Sequence, residues 1–194
     1  MISQYLGGTA AKTASIVKEA LGGVLFIDEA YALASDSSLD YGCEAINTLV
    51  KRLEDFRKDF VCIMAGYTKE MDQMLNSNPG LRDRIQFYID FPDYSAAELV
   101  KIYCKYAESE SYQLSTDAKE VFGQITEQIV LNRDQNFSNA RLIRKVFERT
   151  RMKQALRTTD NTINAEDIRA VFEESDMRVL LAPAPTQKKI GFAE

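Results

Sequence analysis

The segment from Gly22 to Glu29 limits the possible folds of this chain more than any other feature. It consists of two glycines, four apolar residues and two adjacent carboxylates. Four apolar residues without polar alternation are typical of a parallel β-strand that is buried on both faces. Ligands of α/β proteins bind beyond the carboxyl ends of such strands. The segment therefore predicts a buried strand over 24–27 that presents Asp28 and Glu29 to a ligand.

Asp28 and Glu29 suit the transfer of a phosphoryl group to water. In that reaction one carboxylate holds Mg²⁺ while the next one orients or deprotonates the attacking water. Considered alone, the two residues fit equally well a chance Asp-Glu pair that starts a helix. The glycine-rich pattern that holds the phosphates in such sites, G-x-x-x-x-G-K-[ST], does not occur in the 194 residues.

The composition of the chain excludes several classes of function. The chain has no histidine, so acid–base chemistry must use carboxylates, lysine, tyrosine or water. Its 24 basic and 29 acidic residues are mixed along the chain, and we therefore expect no nucleic-acid partner. No apolar run reaches the roughly 18 residues of a membrane helix, so we expect no membrane partner. Three isolated cysteines fit a reducing compartment, and we expect a cytoplasmic protein.

The first half of the chain alternates between strand and helix patterns. This alternation predicts a three-layer α/β unit with a parallel sheet over residues 1–91. The predicted strands cover 24–27, 60–65 and 86–89, the predicted helices cover 10–21, 43–56 and 68–76, and residues 78–80 are predicted to form a turn.

From Pro92 onward the pattern becomes helical and predicts a small α-helical domain over 92–174. Ser95 and Glu98 have the spacing of a capping box, and Ser115 and Asn164 are suited to cap later helices. A long basic helix is predicted over 139–157. The remaining residues, 175–194, include two prolines and are predicted to form a loosely ordered tail.

Three further groups of residues are candidates for function. Arg82 and Arg84 precede the third predicted strand, where guanidinium groups could stabilise phosphate charge on a neighbouring subunit. Arg141 lies at the start of the long basic helix and could contact phosphate. Taken alone, each of these arginines is more readily explained as an exposed surface residue. Residues Tyr5, Leu6 and Gly7 form an aromatic, aliphatic and flexible sequence that could grip an extended peptide, or simply an apolar loop.

The order and spacing of these segments resemble the AAA+ ATPases, and within them the branch of red-type rubisco activase (CbbX/CfxQ) and stage V sporulation protein K. The resemblance implies a partial P-loop NTPase core, with a parallel sheet that lacks its first strands, followed by a small helical lid domain. The matching stretches cover residues 5–13, 22–33, 40–42, 63–67, 78–85, 90–94 and 139–141. Residues 189–192 also resemble the end of that branch.

The resemblance also implies a role for each candidate residue. The implied roles are a Walker B pair at Asp28 and Glu29, with Asp28 as the Mg²⁺ ligand; an arginine finger at Arg84, with Arg82 as second candidate; sensor 2 at Arg141; sensor 1 at Tyr67 or Thr68; and a substrate pore loop at Tyr5, Leu6 and Gly7. The implied cofactors are ATP and Mg²⁺. The implied partners are a protein substrate and other AAA+ subunits, in a homo- or hetero-hexameric ring.

The resemblance further implies that a phosphate-binding strand is missing from the middle of the sheet. In this family that strand precedes Tyr5 and lies between the strands over 60–65 and 86–89. A central strand of about five apolar residues contributes on the order of 10 kcal/mol, which is comparable to the stability of a whole domain. We therefore expect the α/β part to be poorly folded alone, to associate, or to let its third strand slide across the gap.

Three interpretations of the chain follow. It is the C-terminal portion of a CbbX/SpoVK-like ATPase that is inactive alone, a non-hydrolysing subunit of a mixed ring, or a helical interaction module over 92–174. We favour the first, because Asp28, Glu29, Arg84 and Arg141 are all kept together in one chain.

Overall fold

The computed structural model describes residues 8–34, 41–133 and 137–182 of the chain. The chain divides into two compact units, Met1–Phe91 and Pro92–Glu194. In the described parts of both units, no helix is both long enough and apolar enough to cross a membrane.

The first unit combines a two-stranded parallel sheet with helices. Its elements are α1 (Gly8–Glu19), β1 (Val24–Ile27), a 3-10 helix (Ala30–Ala34), α2 (Tyr41–Asp55), β2 (Val61–Met64), α3 (Thr68–Ser77) and α4 (Pro79–Arg82). The strands pair in register, so that Val24 lies opposite Val61 and Ile27 lies opposite Met64.

The core of this unit covers one face of the sheet. Val17 of α1 and Leu49 of α2 are fully buried against Leu25 of β1. A second cluster joins the 3-10 helix and α2 to α3 and α4 around Met74 and Leu81. The helices therefore hold the two strands from one side.

The other face of the sheet is open, which corrects the prediction of a strand buried on both faces. Leu25 is 8% exposed, whereas the side chains on the opposite face, Val24, Phe26, Val61 and Ile63, are 58%, 60%, 57% and 45% exposed. None of the residues that the structure describes packs over them. The α/β part is therefore two-layered here, because one layer of helices is not supplied by the described chain.

The predicted third strand, over 86–89, does not form. The sheet contains only β1 and β2 in the described chain, and Phe87, Ile89 and Phe91 are 82%, 77% and 89% exposed. A strand needs a hydrogen-bonded neighbour, and none is present for this segment. The expectation that it slides across the gap is therefore wrong.

The predicted turn over 78–80 is instead the start of the one-turn helix α4. The Asn78 side chain accepts a hydrogen bond from the Leu81 N–H at 2.9 Å, and Pro79 occupies the first helical position. Proline suits this position because its fixed φ fits a helix and the missing N–H would have no helical partner.

The second unit is helical with one short parallel ladder. Its elements are α5 (Ala96–Ser109), β3 (Gln113–Leu114), α6 (Thr116–Leu131), α7 (Asn139–Arg157), β4 (Thr162–Ile163), α8 (Ala165–Phe172), α9 (Ser175–Arg178) and a 3-10 helix (Val179–Leu181). The sequence analysis missed the pairing of β3 with β4, because a strand of two residues has no periodicity to detect.

Local capping and a ring cluster hold this unit together. The predicted capping box at α5 is confirmed, since the Ser95 N–H donates to Glu98 Oε2 at 2.9 Å and the Ser95 side chain accepts from the Glu98 N–H. Tyr103 is fully buried between Phe122 and Phe147, with ring centroids 4.0 and 5.7 Å away.

The prediction of a loosely ordered tail is wrong for its first residues. Met177 is 1% exposed within the hydrophobic core of the second unit. Arg149 of α7 donates to Glu174 at 2.6 Å and to both Asp176 oxygens at 2.8 Å. These contacts dock α9 against α7. The rest of the predicted tail, residues 183–194, lies outside the described residues.

Candidate functional site

Asp28 and Glu29 leave the sheet in a strained turn at the carboxyl end of β1. Glu29 has φ 48°, a left-handed conformation that costs a non-glycine residue about 1 kcal/mol or more. Asp28 Oδ1 accepts a hydrogen bond from the Glu29 N–H at 3.0 Å. Backbone hydrogen bonds of 2.9 Å, from Ala65 N–H to Ile27 and from Ala30 N–H to Ala65, hold the turn on both sides. Both carboxylates remain exposed to solvent.

Tyr67 and Thr68 follow the neighbouring strand β2. Because β1 and β2 are parallel, their carboxyl ends lie at the same edge of the sheet, and the structure brings these residues to the edge that carries Asp28 and Glu29. Tyr67 immediately precedes α3 and is 61% exposed. Thr68 is the first residue of α3 and is also exposed.

Tyr31 joins this edge and was missed by the sequence analysis. Its ring centroid lies 6.1 Å from that of Tyr67. Partial burial, followed by the negative charge of Glu29, raises the pKa of the Tyr31 hydroxyl. The phenol therefore stays neutral beside the carboxylates and can donate a hydrogen bond.

Gly66 makes room for this arrangement. A Cβ on Gly66 would lie 2.8 Å from Tyr31 Cδ1 and 2.8 Å from Met71 Sδ. The sequence signal that could have revealed Tyr31 is this glycine, which directly follows the second predicted strand.

The chemistry of Asp28 and Glu29 fits a Mg²⁺ ion that is shared with a phosphate ligand. Magnesium is usually bound in such sites by one or two carboxylates, with substrate phosphates and water completing the coordination. In the described residues, no group of three or more Asp, Glu, Cys or His side chains could hold a metal. The site therefore fits a Mg²⁺ ion that is coordinated partly by phosphate, because the described residues do not supply a complete set of protein ligands.

Arg82 and Arg84 contact their own unit. Arg82 Nη1 donates to Asn76 Oδ1 at 2.8 Å, and Arg84 Nη1 donates to the Gly80 carbonyl at 2.8 Å. Arg84 Nε is buried without a hydrogen bond, at 3.6 Å from Glu54 Oε2. Neither guanidinium pairs with Asp28 or Glu29 within the described chain.

Arg141 occupies the first turn of α7 in the second unit. Its side chain is exposed, and it forms no ion pair with any residue that the structure describes. The guanidinium is thus available to an anion. The predicted pore-loop residues Tyr5, Leu6 and Gly7 lie outside the described residues.

Two family profiles match the chain. The profile described as "ATPase family associated with various cellular activities (AAA)" matches residues 1–93, and the profile described as "AAA lid domain" matches residues 95–184. Together they cover almost all of the sequence. The chain belongs to the AAA ATPase family and consists of AAA and AAA lid segments, as its motifs predicted.

Curated relatives place the chain in one branch of this family. Stage V sporulation protein K of Bacillus subtilis (strain 168) is 43% identical over 158 residues, which are 81% of this chain and 49% of the relative. Protein CfxQ of Xanthobacter flavus is 48% identical over 159 residues, with the same two coverages. The chloroplastic ribulose bisphosphate carboxylase/oxygenase activase of Cyanidioschyzon merolae (strain NIES-3377 / 10D) is 42% identical over 158 residues, 81% of this chain and 53% of the relative. The chain spans about half the length of the curated relatives it matches.

Solved structures support the fold prediction. The Thermotoga maritima RuvB Holliday junction branch migration motor matches with a TM-score of 0.60 and 20% identity, over 84% of this chain and 48% of that chain. A closed-state reconstruction of Hsp104 with ATPγS and FITC casein matches with a TM-score of 0.58 and 19% identity, over 87% and 30% of the two chains. At these identities the likeness concerns the fold alone.

Proposed function

We propose that this chain carries the hydrolytic half of an ATP site and takes part in ATP-driven remodelling of a protein substrate. The single observation that carries the proposal is the edge formed by β1 and β2, where Asp28 and Glu29 leave the sheet beside Tyr67. The AAA membership of the chain supplies the expected ligand, ATP with Mg²⁺.

Each residue of this edge has a proposed task. Asp28 holds Mg²⁺, which when bound neutralises charge on the phosphate oxygens. Glu29 orients and deprotonates the attacking water. Tyr67, with Thr68 as the alternative, donates a hydrogen bond to the terminal phosphate.

The arginines have proposed tasks beyond this edge. Arg84 acts as an arginine finger on a neighbouring subunit of a homo- or hetero-hexamer, with Arg82 as the second candidate. The unsatisfied Nε supports this task, because a new anion would give it a hydrogen-bond partner in exchange for the bond that Nη1 donates to the Gly80 carbonyl. Arg141 contacts phosphate from the lid as sensor 2, and Tyr5, Leu6 and Gly7 grip the protein substrate.

ATP binding also requires a loop that holds the phosphates. Without a P-loop lysine and its backbone N–H groups, a polypeptide of this sequence alone is expected to bind ATP very weakly and to be inactive. Micromolar ATP affinity of the 194-residue polypeptide would contradict this expectation.

Substitution of Glu29 tests the proposed chemistry. In the native protein purified from its own cells, Glu29→Gln is expected to lower the rate of ATP hydrolysis by about 100-fold or more while ATP binding is retained. The matched control is Asp59→Asn, at the opposite end of the sheet, which should leave the rate unchanged. Unchanged hydrolysis in Glu29→Gln would overturn the role of Glu29.

A non-hydrolysing subunit of a mixed ring is the second candidate function. The observation that favours it is the unsatisfied Nε of Arg84, which is available to a nucleotide on a neighbouring subunit. The intact mass of the native protein separates the two functions. A mass of 21.9 kDa favours the second function, and a mass larger by a P-loop segment favours the first.

A further inference from the structure

Asn139 connects two distant parts of the second unit. Its Nδ2 donates to Asp93 Oδ1 at 2.6 Å and to the Phe137 carbonyl at 3.3 Å. Its Oδ1 accepts from the Tyr94 N–H at 3.0 Å. One side chain therefore binds both residues that directly precede the capping box of α5. We call this group of hydrogen bonds the Asn139 clamp.

The backbone of Asn139 is also unusual. Its φ of 46° lies in the left-handed region, which asparagine tolerates better than most residues because its short side chain forms local hydrogen bonds. The clamp is reinforced by Arg133, which follows the end of α6, since Arg133 Nε lies 3.8 Å from Asp93 Oδ2. The exposed segment Asp93–Tyr94 is thus held by side chains of both Asn139 and Arg133.

The first turn of α7 has no N-cap side chain of its own. Ser138, the N-cap residue of α7, provides no side-chain hydrogen bond to the helix. A helix start without a capping side chain is prone to fray. Arg141 lies in this turn, two residues beyond Asn139, and its exposed guanidinium has no ion pair in the described chain to hold it.

We infer that Asn139 is a positioning residue, which holds the first turn of α7, and with it Arg141, to the segment Asp93–Tyr94. This inference rests on the proposed function, in which Arg141 contacts a nucleotide phosphate. Asp93 and Tyr94 are the second and third residues of the helical unit, directly after the division at Phe91. The clamp therefore ties the turn that carries Arg141 to the first residues of the helical unit.

Amide hydrogen exchange of the 194-residue polypeptide tests whether the clamp forms. The Tyr94 N–H is exposed apart from its bond to Asn139, so Asn139→Gly is expected to speed its exchange by about tenfold or more. Glycine keeps the left-handed backbone without strain, which separates loss of the clamp from backbone distortion. A Tyr94 N–H that exchanges at the unprotected rate in the unaltered polypeptide would overturn the inference.

A double-mutant cycle in the native protein tests the link to Arg141. Asn139→Gly and Asp93→Ala remove opposite ends of one bond, and each is expected to raise the KM for ATP by about tenfold with little change in thermal midpoint. Combined with Arg141→Ala, neither should add to the effect of Arg141→Ala alone, because a misplaced arginine and a missing one lose the same contact. Arg144→Gln, which removes an exposed cation from the same helix, is the matched control and should leave KM unchanged.

The outcomes separate the inference from the proposed function. If Arg141→Ala raises KM but Asn139→Gly does not, or if their effects add, the inference is overturned and the proposed function stands. If Arg141→Ala has no effect, the proposed role of Arg141 fails, and the inference fails with it whatever Asn139→Gly does.

Discussion

At the scale of single residues, the candidate site depends on one glycine and one strained glutamate. Gly66 allows the Tyr31 ring and the Met71 side chain to approach β2, and Glu29 accepts a left-handed backbone at the end of β1. The two features are related, because Tyr31 lies in the 3-10 helix that starts directly after the strained turn. The missing side chain at Gly66 therefore allows the backbone path from β1 into the 3-10 helix, which places Asp28 and Glu29 at the edge of the sheet.

Replacement of Gly66 by alanine is expected to destabilise the first unit. The new methyl group would displace Tyr31 or Met71, and overpacking of this kind costs about 1–3 kcal/mol. Denaturant unfolding measures the change, with Gly23→Ala as control, because a Cβ on Gly23 meets only Ala20 O at an ordinary 3.5 Å. Equal stabilities of the two variants would contradict the steric argument.

At the scale of secondary-structure elements, charge docks α9 to α7. Hydrogen bonds from Arg149 and Lys145 hold the pKa of Asp176 well below its usual range. A hydrogen bond from Lys153 also lowers the pKa of Glu174. Since both acids titrate at lower pH in the folded state than in the unfolded state, their contribution to stability is present at neutral pH and is lost as the pH falls.

Acidification is therefore expected to weaken the docking of α9. The loss should begin as the pH falls below about 4–5, where the unfolded acids become protonated, and it should grow toward the lower pKa values of the folded state. Urea unfolding between pH 7 and pH 2 measures the effect, which should be smaller in Asp176→Asn. Glu127→Gln, which removes an exposed acid from α6, should keep the full pH dependence. An identical pH profile for Asp176→Asn and the unaltered chain would refute this docking account.

At the scale of the whole molecule, the first unit leaves much apolar surface uncovered. One face of the sheet and the segment after α4 are both exposed, and contiguous apolar patches of this kind mark surfaces that bind other protein segments. The expectation that the α/β part associates when alone stays a prediction, and this exposed apolar surface is its physical reason.

The 194-residue polypeptide is therefore expected to self-associate. Sedimentation velocity should show a mass that rises with concentration, and Phe26→Ser should reduce this rise without unfolding the unit, because Phe26 is 60% exposed. Leu25→Ser, at the adjacent buried position, should instead unfold the sheet. A monomeric, cooperative thermal transition above about 60 °C would show that the exposed face neither causes association nor destabilises the unit.

Several parts of the fold could be predicted because neighbouring residues determine them. The capping box at Ser95 and Glu98, the long helix α7 and the two paired strands follow from local spacing and hydrophobic period. The position of Asp28 and Glu29 beyond β1 follows from the same pattern. Their catalytic roles, and those of the arginines, stay predictions.

The sequence by itself determined the family, most of the helices, the two strands β1 and β2, and the strand end that carries the carboxylates, because these depend on residues close together in the chain. Tertiary structure decided that one face of the sheet is open, that residues 86–89 form no strand, and that α9 docks on α7. It also decided that Asn139 binds Asp93, 46 positions earlier. Strand pairing, burial and such long-range hydrogen bonds require a partner that local spacing cannot specify, which is the physical reason for the difference.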